Sequence, residues 1–120
     1  MTNTLHPIIA QHIAAINAFD TNGIVATFAD DAFVNDNHRE FWGSDAIRRW
    51  VEKELVGDQV TMEVREVVEH YGQTIVRGAI EGTYDKTNLP AGDLILSNYF
   101  TVAHGKIVSL IVIANRPAEY

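Results

Sequence analysis

The sequence predicts an α+β domain in which three N-terminal helices pack on a curved, mostly antiparallel sheet. Up to about residue 55, apolar residues recur at three- and four-residue steps, which is typical of amphipathic helices. After Asp58 the apolar period changes to two, which is typical of strands. Gly72-Gln73 and His104-Gly105 read as tight turns between these strands. Strands joined in this way form a meander, and the helices would cover one of its faces.

Length, charge and cysteine content limit the classes of protein to which this chain could belong. A chain of 120 residues suits one domain, spanning residues 1–120. The net charge of -7 argues against a nucleic-acid partner and against an anionic membrane surface. The chain has no cysteine, which excludes disulfides and thiolate metal sites and fits a cytoplasmic location. No stretch approaches the roughly 20 apolar residues that cross a bilayer.

The first predicted helix carries a polar residue, His12, in the middle of its apolar stripe. Two interpretations of His12 remain open: a core histidine bonded to a backbone carbonyl, or a polar group that faces an internal cavity. Residues 20–23, Asp-Thr-Asn-Gly, end this helix and begin a short second one that ends near Asp30. The stripe of the first helix consists of Leu5, Ile8, Ile9, His12, Ile13, Ile16 and Phe19.

A short strand, Ala32 to Asp36, is predicted next. Asp36 continues the alternation of Val34, so its carboxylate points where the apolar side chains point. A loop from Asn37 to Gly43 should follow, with Ser44 as the N-cap of a third helix. That helix should run from about Asp45 to Leu55 and bury Ile47, Trp50, Val51 and Leu55.

Four long strands complete the prediction, over residues 59–71, 74–84, 93–103 and 106–115. The last of them is almost wholly apolar from Ile107 to Ala114, a pattern that implies burial on both faces. One face would meet the helices and the other a second copy of the chain. The sequence therefore predicts a homodimer built on the outer face of the sheet.

Several short motifs occur in a fixed order along the chain: Phe28-Ala29-Asp30-Asp31-Ala32, then Asp36, then Gly43-Ser44-Asp45-Ala46-Ile47, and His104-Gly105-Lys106-Ile107 before the last strand. In these motifs the chain resembles the nuclear-transport-factor-2-like (NTF2-like) superfamily, in its SnoaL-like and ketosteroid-isomerase-like branch. The resemblance covers essentially the whole chain and implies a cone-shaped NTF2-like (cystatin-like) fold with an apolar cavity. The superfamily includes isomerases, cyclases, hydrolases, dehydratases and members without catalysis, so the fold does not decide the function.

The resemblance also implies roles for individual residues. Ketosteroid isomerases carry their general base, an aspartate, at the end of the first strand, which is the position of Asp36. Their two oxyanion donors, a tyrosine and a protonated aspartate, fall at His12 and Ser97 of this sequence. The chain therefore keeps the base and replaces both donors, which argues against ketosteroid isomerase activity itself.

The candidate catalytic residues are Asp36 and His12. A carboxylate in an apolar cavity has its charged form disfavoured, which makes it a better proton acceptor, and His12 could share that proton or donate to an oxyanion. We expect a direct hydrogen bond or one bridging water between them. The alternative is that Asp36 pairs with Arg39 or caps loop amides. The candidate ligand contacts are Phe28, Trp42, Trp50, Ser97, Asn98 and Tyr99.

The expected function is the binding of a small apolar molecule in the cone cavity, with acid–base chemistry of the isomerase or cyclase type and Asp36 as base. Two alternatives from other classes remain: a binding protein without turnover, and a module whose main role is dimerisation. The five histidines show no spacing typical of a metal site, and no cofactor motif is present. We therefore expect neither a metal nor a cofactor.

Overall fold

The computed structural model describes residues 5–84 and 94–114. In chain order the elements are α1 (Pro7–Asn17), α2 (Thr21–Val25), β1 (Phe28–Asp36), β2 (Arg39–Trp42), α3 (Gly43–Trp50), β3 (Thr61–His70), β4 (Gln73–Glu81), β5 (Leu94–Ala103) and β6 (Lys106–Ala114). After Trp50, α3 continues without a break as a π-helical segment, Val51–Val56.

The strands form one six-stranded sheet in the order β2-β1-β6-β5-β4-β3. Among the described strands only the pairing of β1 with β6 is parallel, and it places Asp36 beside Val112. The register shifts at three places, including Val64/Glu66 in β3 and Thr101/Val102 in β5, and such irregularities bend and twist a sheet. The predicted α+β class and mostly antiparallel sheet are confirmed. In the described residues no helix is long and apolar enough to cross a membrane.

The helices cover one face of this sheet, the inner face, and the core lies between the two layers. Alternate residues of β1, β5 and β6 point inward, among them Val34, Phe100 and Leu110, each at most 2% exposed. The stripe of α1 meets them and is buried at Ile9 and Ile16. Fully burying side chains of this size contributes about 1.5–3 kcal/mol each, so this layer contact is the main source of stability.

The opposite, outer face of the sheet is partly apolar, and none of the described helices covers it. In β6 the inward residues Leu110 and Val112 are buried, whereas Ile113 on the outer face is 47% exposed. Tyr99 of β5 and Ile75 of β4 extend this face across neighbouring strands. Within a single chain, the two-sided burial expected for residues 107–114 is therefore found on the inner side only.

Two predicted boundaries near β1 are wrong. The second helix ends at Val25, and β1 already begins at Phe28, because Phe28 pairs with Ile107 of β6. The predicted loop of residues 37–43 instead forms a hairpin with β2. Asn37 and His38 both have positive φ values, 53° and 73°, which fits a two-residue turn that matches the twist of its strands.

Ser44 is not the N-cap of α3. The helix begins directly at Gly43, so Ser44 lies inside its first turn and the N-cap position falls on Trp42, which makes no side-chain cap bond. The Ser44 hydroxyl donates instead to the backbone oxygen of Asp30, 3.2 Å away. Ser44 thus ties α3 to β1 rather than satisfying the first turn of its own helix.

Candidate functional site

A cavity of about 60 Å³ lies between the inner face of the sheet and the helices. Most of its wall is apolar. Polar side-chain atoms come from His12, Asp36, Trp50 and Asn98. The apolar wall includes Ile16, Leu55, Met62, Ile80, Leu96 and Leu110. A few convergent polar groups in an otherwise apolar cavity are typical of a small-molecule site.

Asp36 lies where this cavity meets the surface, and one of its carboxylate oxygens is held by two donors. Oδ2 accepts a hydrogen bond from Trp50 Nε1 at 3.0 Å and one from Arg39 Nη2 at 2.8 Å. The Asp36 side chain is 21% exposed, against 53% for Arg39. The pairing with Arg39, weighed above as the alternative role, is confirmed. Oδ1 is left for other partners, so the pairing does not occupy the whole carboxylate.

Arg39 joins Asp36 to a second carboxylate, Glu54. Its Nη1 and Nη2 donate to the two oxygens of Glu54 at 2.8 and 2.7 Å, a bidentate arrangement. The hydrogen bond with Glu54 is the largest cause that raises the pKa of Arg39 above its usual range. The guanidinium is therefore a permanent cation that two carboxylates share.

His12 lies deep in the cavity wall, at 1% exposure. Its Nδ1 is 2.9 Å from the hydroxyl of Thr27, and its ring stands edge-on to Phe28 and Phe100, with centroids 5.3 and 5.5 Å away. Burial lowers the pKa of His12 from its usual 6.5 to about 4, so the imidazole is neutral at pH 7. The interpretation of His12 as a cavity-facing group fits this geometry. Its hydrogen-bond partner is a hydroxyl and not a backbone carbonyl.

The expected contact between the two candidate catalytic residues is not direct. His12 is bonded to Thr27, and Asp36 to Trp50 and Arg39, and among the described residues no hydrogen bond joins His12 to Asp36. Both side chains nevertheless line the same cavity. They lie at different depths, His12 fully buried and Asp36 partly exposed.

Of the six predicted ligand contacts, Trp50 and Asn98 line the cavity. Phe28 is buried behind His12 and touches its ring without lining the cavity. Ser97 and Tyr99 fall on the outer face, because side chains alternate along β5 and Asn98 points inward.

Trp42 also lies away from the cavity. In the hairpin it pairs with Phe33, the neighbour of Val34 that points outward, and the two rings stack with centroids 4.2 Å apart. Trp42 is 64% exposed, and its indole N–H donates to Glu40. Because residues 37–43 were predicted as a loop, no strand alternation was available to predict the face on which Trp42 lies.

Two site residues, Thr27 and Glu54, were not singled out from the sequence. Thr27 is fully buried and fixes His12, but it lies between elements, where no periodicity marks it. Glu54 belongs to the π-helical continuation of α3, and its contact with Arg39 spans 15 residues. In the described ranges no group of three or more His, Cys, Asp or Glu side chains is arranged to hold a metal ion.

Comparison with solved structures shows the class of fold. A protein from Catenulispora acidiphila with a ketosteroid-isomerase-like fold, solved with trimethylamine, superimposes with a TM-score of 0.75 at 16% identity, over 92% of this chain and 86% of that one. The epoxide hydrolase/cyclase-like enzyme SalBIII, with a role in pyran ring formation in the polyether salinomycin, gives a TM-score of 0.76 at 22% identity, over 91% and 88%. The expected NTF2-like fold is thus confirmed.

The family is shown by the sequence itself. The SnoaL-like domain profile matches residues 9–110, so this chain belongs to the SnoaL-like domain family. A presumed polyketide cyclase from Sinorhizobium meliloti is similar to it at 27% identity, with a TM-score of 0.78 over 91% of this chain and 95% of that one. The matched region contains Asp36 and every described residue of the cavity wall except Val112.

Proposed function

We propose that the protein binds a small molecule in the cavity and that Asp36 accepts a proton from it, in acid–base chemistry of the isomerase or cyclase type. One observation carries the proposal: Asp36 lines an apolar cavity with Oδ2 held by Trp50 and Arg39, whereas Oδ1 accepts no hydrogen bond from the described residues. A general base must be oriented before it reacts, and two donors on Oδ2 supply that orientation.

The size of the cavity indicates how a ligand would lie. About 60 Å³ accommodates a few heavy atoms, well below the roughly 300–1,000 Å³ of a site that encloses a whole drug-sized ligand. Asp36 is at the rim and His12 at the buried end. A larger substrate would therefore place only its reacting end inside, with the remainder over the rim near Arg39 and Glu54.

Two of the similar proteins favour cyclisation among the possible reactions. One is an epoxide hydrolase/cyclase-like enzyme with a role in pyran ring formation, and another is a presumed polyketide cyclase. When a hydroxyl closes an ether ring by attacking an epoxide, the new C–O bond forms as one epoxide C–O bond breaks. A base takes the proton of the attacking hydroxyl, and the opened epoxide oxygen takes a proton from water. Asp36 Oδ1 is the group that could receive that proton here.

Binding without turnover is the second candidate function. Enzymes that generate an oxyanion place hydrogen-bond donors where the charge develops. On the described part of the cavity wall, the indole N–H of Trp50 is already donated to Asp36, and His12 is neutral. This shortage of donors favours either a reaction without an enolate or simple ligand binding.

The test compares Asp36→Asn with Asp31→Asn, the same change at an exposed position of the same strand. Turnover of a panel of small hydroxy-epoxides and β-dicarbonyl compounds is followed by proton NMR, with ligand binding measured in parallel. We expect Asp36→Asn to lower kcat by about 100-fold or more while binding survives, and Asp31→Asn to change neither. Unchanged kcat in Asp36→Asn would contradict the base. Binding without turnover by the wild type would favour the second candidate.

We also propose that two copies pair through the outer face of the sheet. Ile113, Val68 and Trp42 lie on this face and are 47%, 36% and 64% exposed, and Tyr99 of β5 lies on the same face. Monomers rarely expose large contiguous apolar patches. Sedimentation should give a dimer at micromolar concentration and a monomer for Ile113→Glu, with Ala10→Glu, the introduction of a glutamate at an exposed position of α1, as the control. A wild-type monomer would contradict this proposal.

A further inference from the structure

Three polar side chains of the described cavity wall share one property: each offers a hydrogen-bond acceptor to a ligand. Among the described residues, polar side-chain atoms on this wall belong to His12, Asp36, Trp50 and Asn98. The indole N–H of Trp50 is already donated to Asp36. Three side chains therefore remain to meet a ligand, and the bonds they make elsewhere fix what each of them presents.

The tautomer of His12 follows from its partner. Thr27 Oγ1 lies 2.6 Å from the backbone oxygen of Ile24, which can only accept, so the hydroxyl donates its single hydrogen there. Thr27 must then accept from His12, and Nδ1 carries the imidazole hydrogen. The ring is neutral because burial lowers the pKa of His12 to about 4. Nε2, on the far side of the ring, therefore carries a lone pair.

The amide of Asn98 is oriented in the same way. Its Nδ2 lies 3.1 Å from the backbone oxygen of Val76 and 3.4 Å from that of Leu96, and both oxygens can only accept. The amide nitrogen therefore faces the sheet backbone, which leaves the carbonyl oxygen Oδ1 for the cavity. Asp36 adds the carboxylate oxygen Oδ1, because its Oδ2 already receives two hydrogen bonds.

Charge at the rim acts in the same direction. Asp36 and Glu54 share the single guanidinium of Arg39, so the three groups together carry one net negative charge. The chain as a whole carries a net charge of -7. A ligand that brings partial or full positive charge is therefore favoured at this end of the cavity. A ligand group that only accepts hydrogen bonds carries partial negative charge and is disfavoured there.

We propose that the ligand of this cavity is a small apolar molecule whose enclosed part carries a hydrogen-bond donor, a hydroxyl or a protonated amine, and that carbonyl groups of the same shape are discriminated against. The inference rests on ligand binding in the cavity, as proposed above, and names the ligand class. A carbonyl would leave His12, Asp36 and Asn98 unpaired, and each buried polar group left without a partner weakens binding. A hydroxyl would also present its proton to Asp36.

The experiment uses three probes of nearly equal shape: 2-propanol, 2-propylammonium and acetone. Each is titrated into the wild-type protein and followed by the two indole N–H signals in a nitrogen-15 NMR spectrum, since the chain has two tryptophans. Trp50 reports on the cavity, and Trp42, bonded to Glu40 on the outer face, is the control within the same spectrum. We expect both donors to shift the Trp50 signal and acetone to bind roughly tenfold more weakly.

The outcomes separate this inference from the function on which it rests. Acetone binding as tightly as 2-propanol would overturn the inference and leave cavity binding in place. No Trp50 shift with any probe would overturn both. If the two donors bind and acetone does not, the inference holds, and their order tells whether the site favours a neutral O–H group or a cation.

The variant Asp36→Asn gives a sharper version of the test. Trp50 and Arg39 both donate to the Oδ2 position, so the introduced amide should keep its oxygen there and turn its NH₂ group to the cavity. Acetone should then gain roughly tenfold and 2-propylammonium should lose as much, whereas Asp31→Asn should leave all three affinities unchanged. No gain for acetone in a folded variant would contradict the inference, as would nitrogen-15 shifts that place the His12 hydrogen on Nε2.

Discussion

The rim and the buried end of the cavity each carry a polar side chain at a position where the apolar period predicts a hydrophobic one. The two side chains are stabilised in opposite ways. Asp36 stays partly exposed and is held by charged and neutral donors from Arg39 and Trp50. His12 is fully buried, neutral, and held by one hydroxyl among aromatic rings. Stability should therefore depend on the buried end, and chemistry on the rim.

The largest difference should appear in unfolding. His12→Ala removes a fully buried ring packed between Phe28 and Phe100, and we expect it to lower the free energy of unfolding by about 2–5 kcal/mol. Asp36→Asn keeps both donors on Oδ2 satisfied and should change it by less than about 1 kcal/mol. Urea denaturation measures both values. Equal losses would mean that the two ends do not differ in this way.

A pH effect should follow from the same burial. The pKa of His12 is about 4 in the folded chain and 6.5 in the unfolded one, so between these values the unfolded chain binds the extra proton. Stability is complete above pH 6.5 and falls as the pH drops toward 4, by about 3 kcal/mol in total. Urea midpoints across this range, compared with those of His12→Leu, isolate the effect. An equally steep decline in the variant would assign it to other groups.

Removing a charge at the rim should change ligand affinity, and this effect should be smaller than the two effects on stability. Glu54→Gln leaves Arg39 to neutralise Asp36 alone, which removes the net negative charge of the three groups. We expect 2-propylammonium to bind about two- to fivefold more weakly and 2-propanol to be unaffected, because exposed ion pairs contribute little. Unequal losses in NMR titration would locate the cation at the rim. Equal losses would indicate a general disturbance of the site.

The sequence predicted the orientation of a side chain correctly where the helical or strand periodicity alone determines it. Alternation from Val34 placed Asp36 on the cavity side, and the helical stripe did the same for His12. Period does not reveal partners: Thr27 and Glu54 reach the site through contacts 15 residues away, which no local pattern encodes. Trp42 shows a second limit. Because β2 was not predicted from the sequence, the face of the sheet on which Trp42 lies could not be predicted either.

Strand phase explains the remaining misplacements. Ser97 and Tyr99 were expected to line the cavity together with Asn98. Neighbouring residues of one strand point to opposite faces of the sheet, so Asn98 lines the cavity and Ser97 and Tyr99 lie on the outer face. Residues 85–92, between the predicted strands 74–84 and 93–103, lie outside the described residues. The cytoplasmic location and the dimer stay predictions.

The most direct measurement is a crystal structure of the protein with 2-propylammonium bound. We expect the nitrogen in the cavity, within hydrogen-bonding distance of Asp36 Oδ1, with the isopropyl group against the apolar wall at Leu96 and Leu110. An amine found only on the outer face, between Trp42, Ser97 and Tyr99, with the cavity empty, would contradict the assignment of the ligand site to Asp36 and His12.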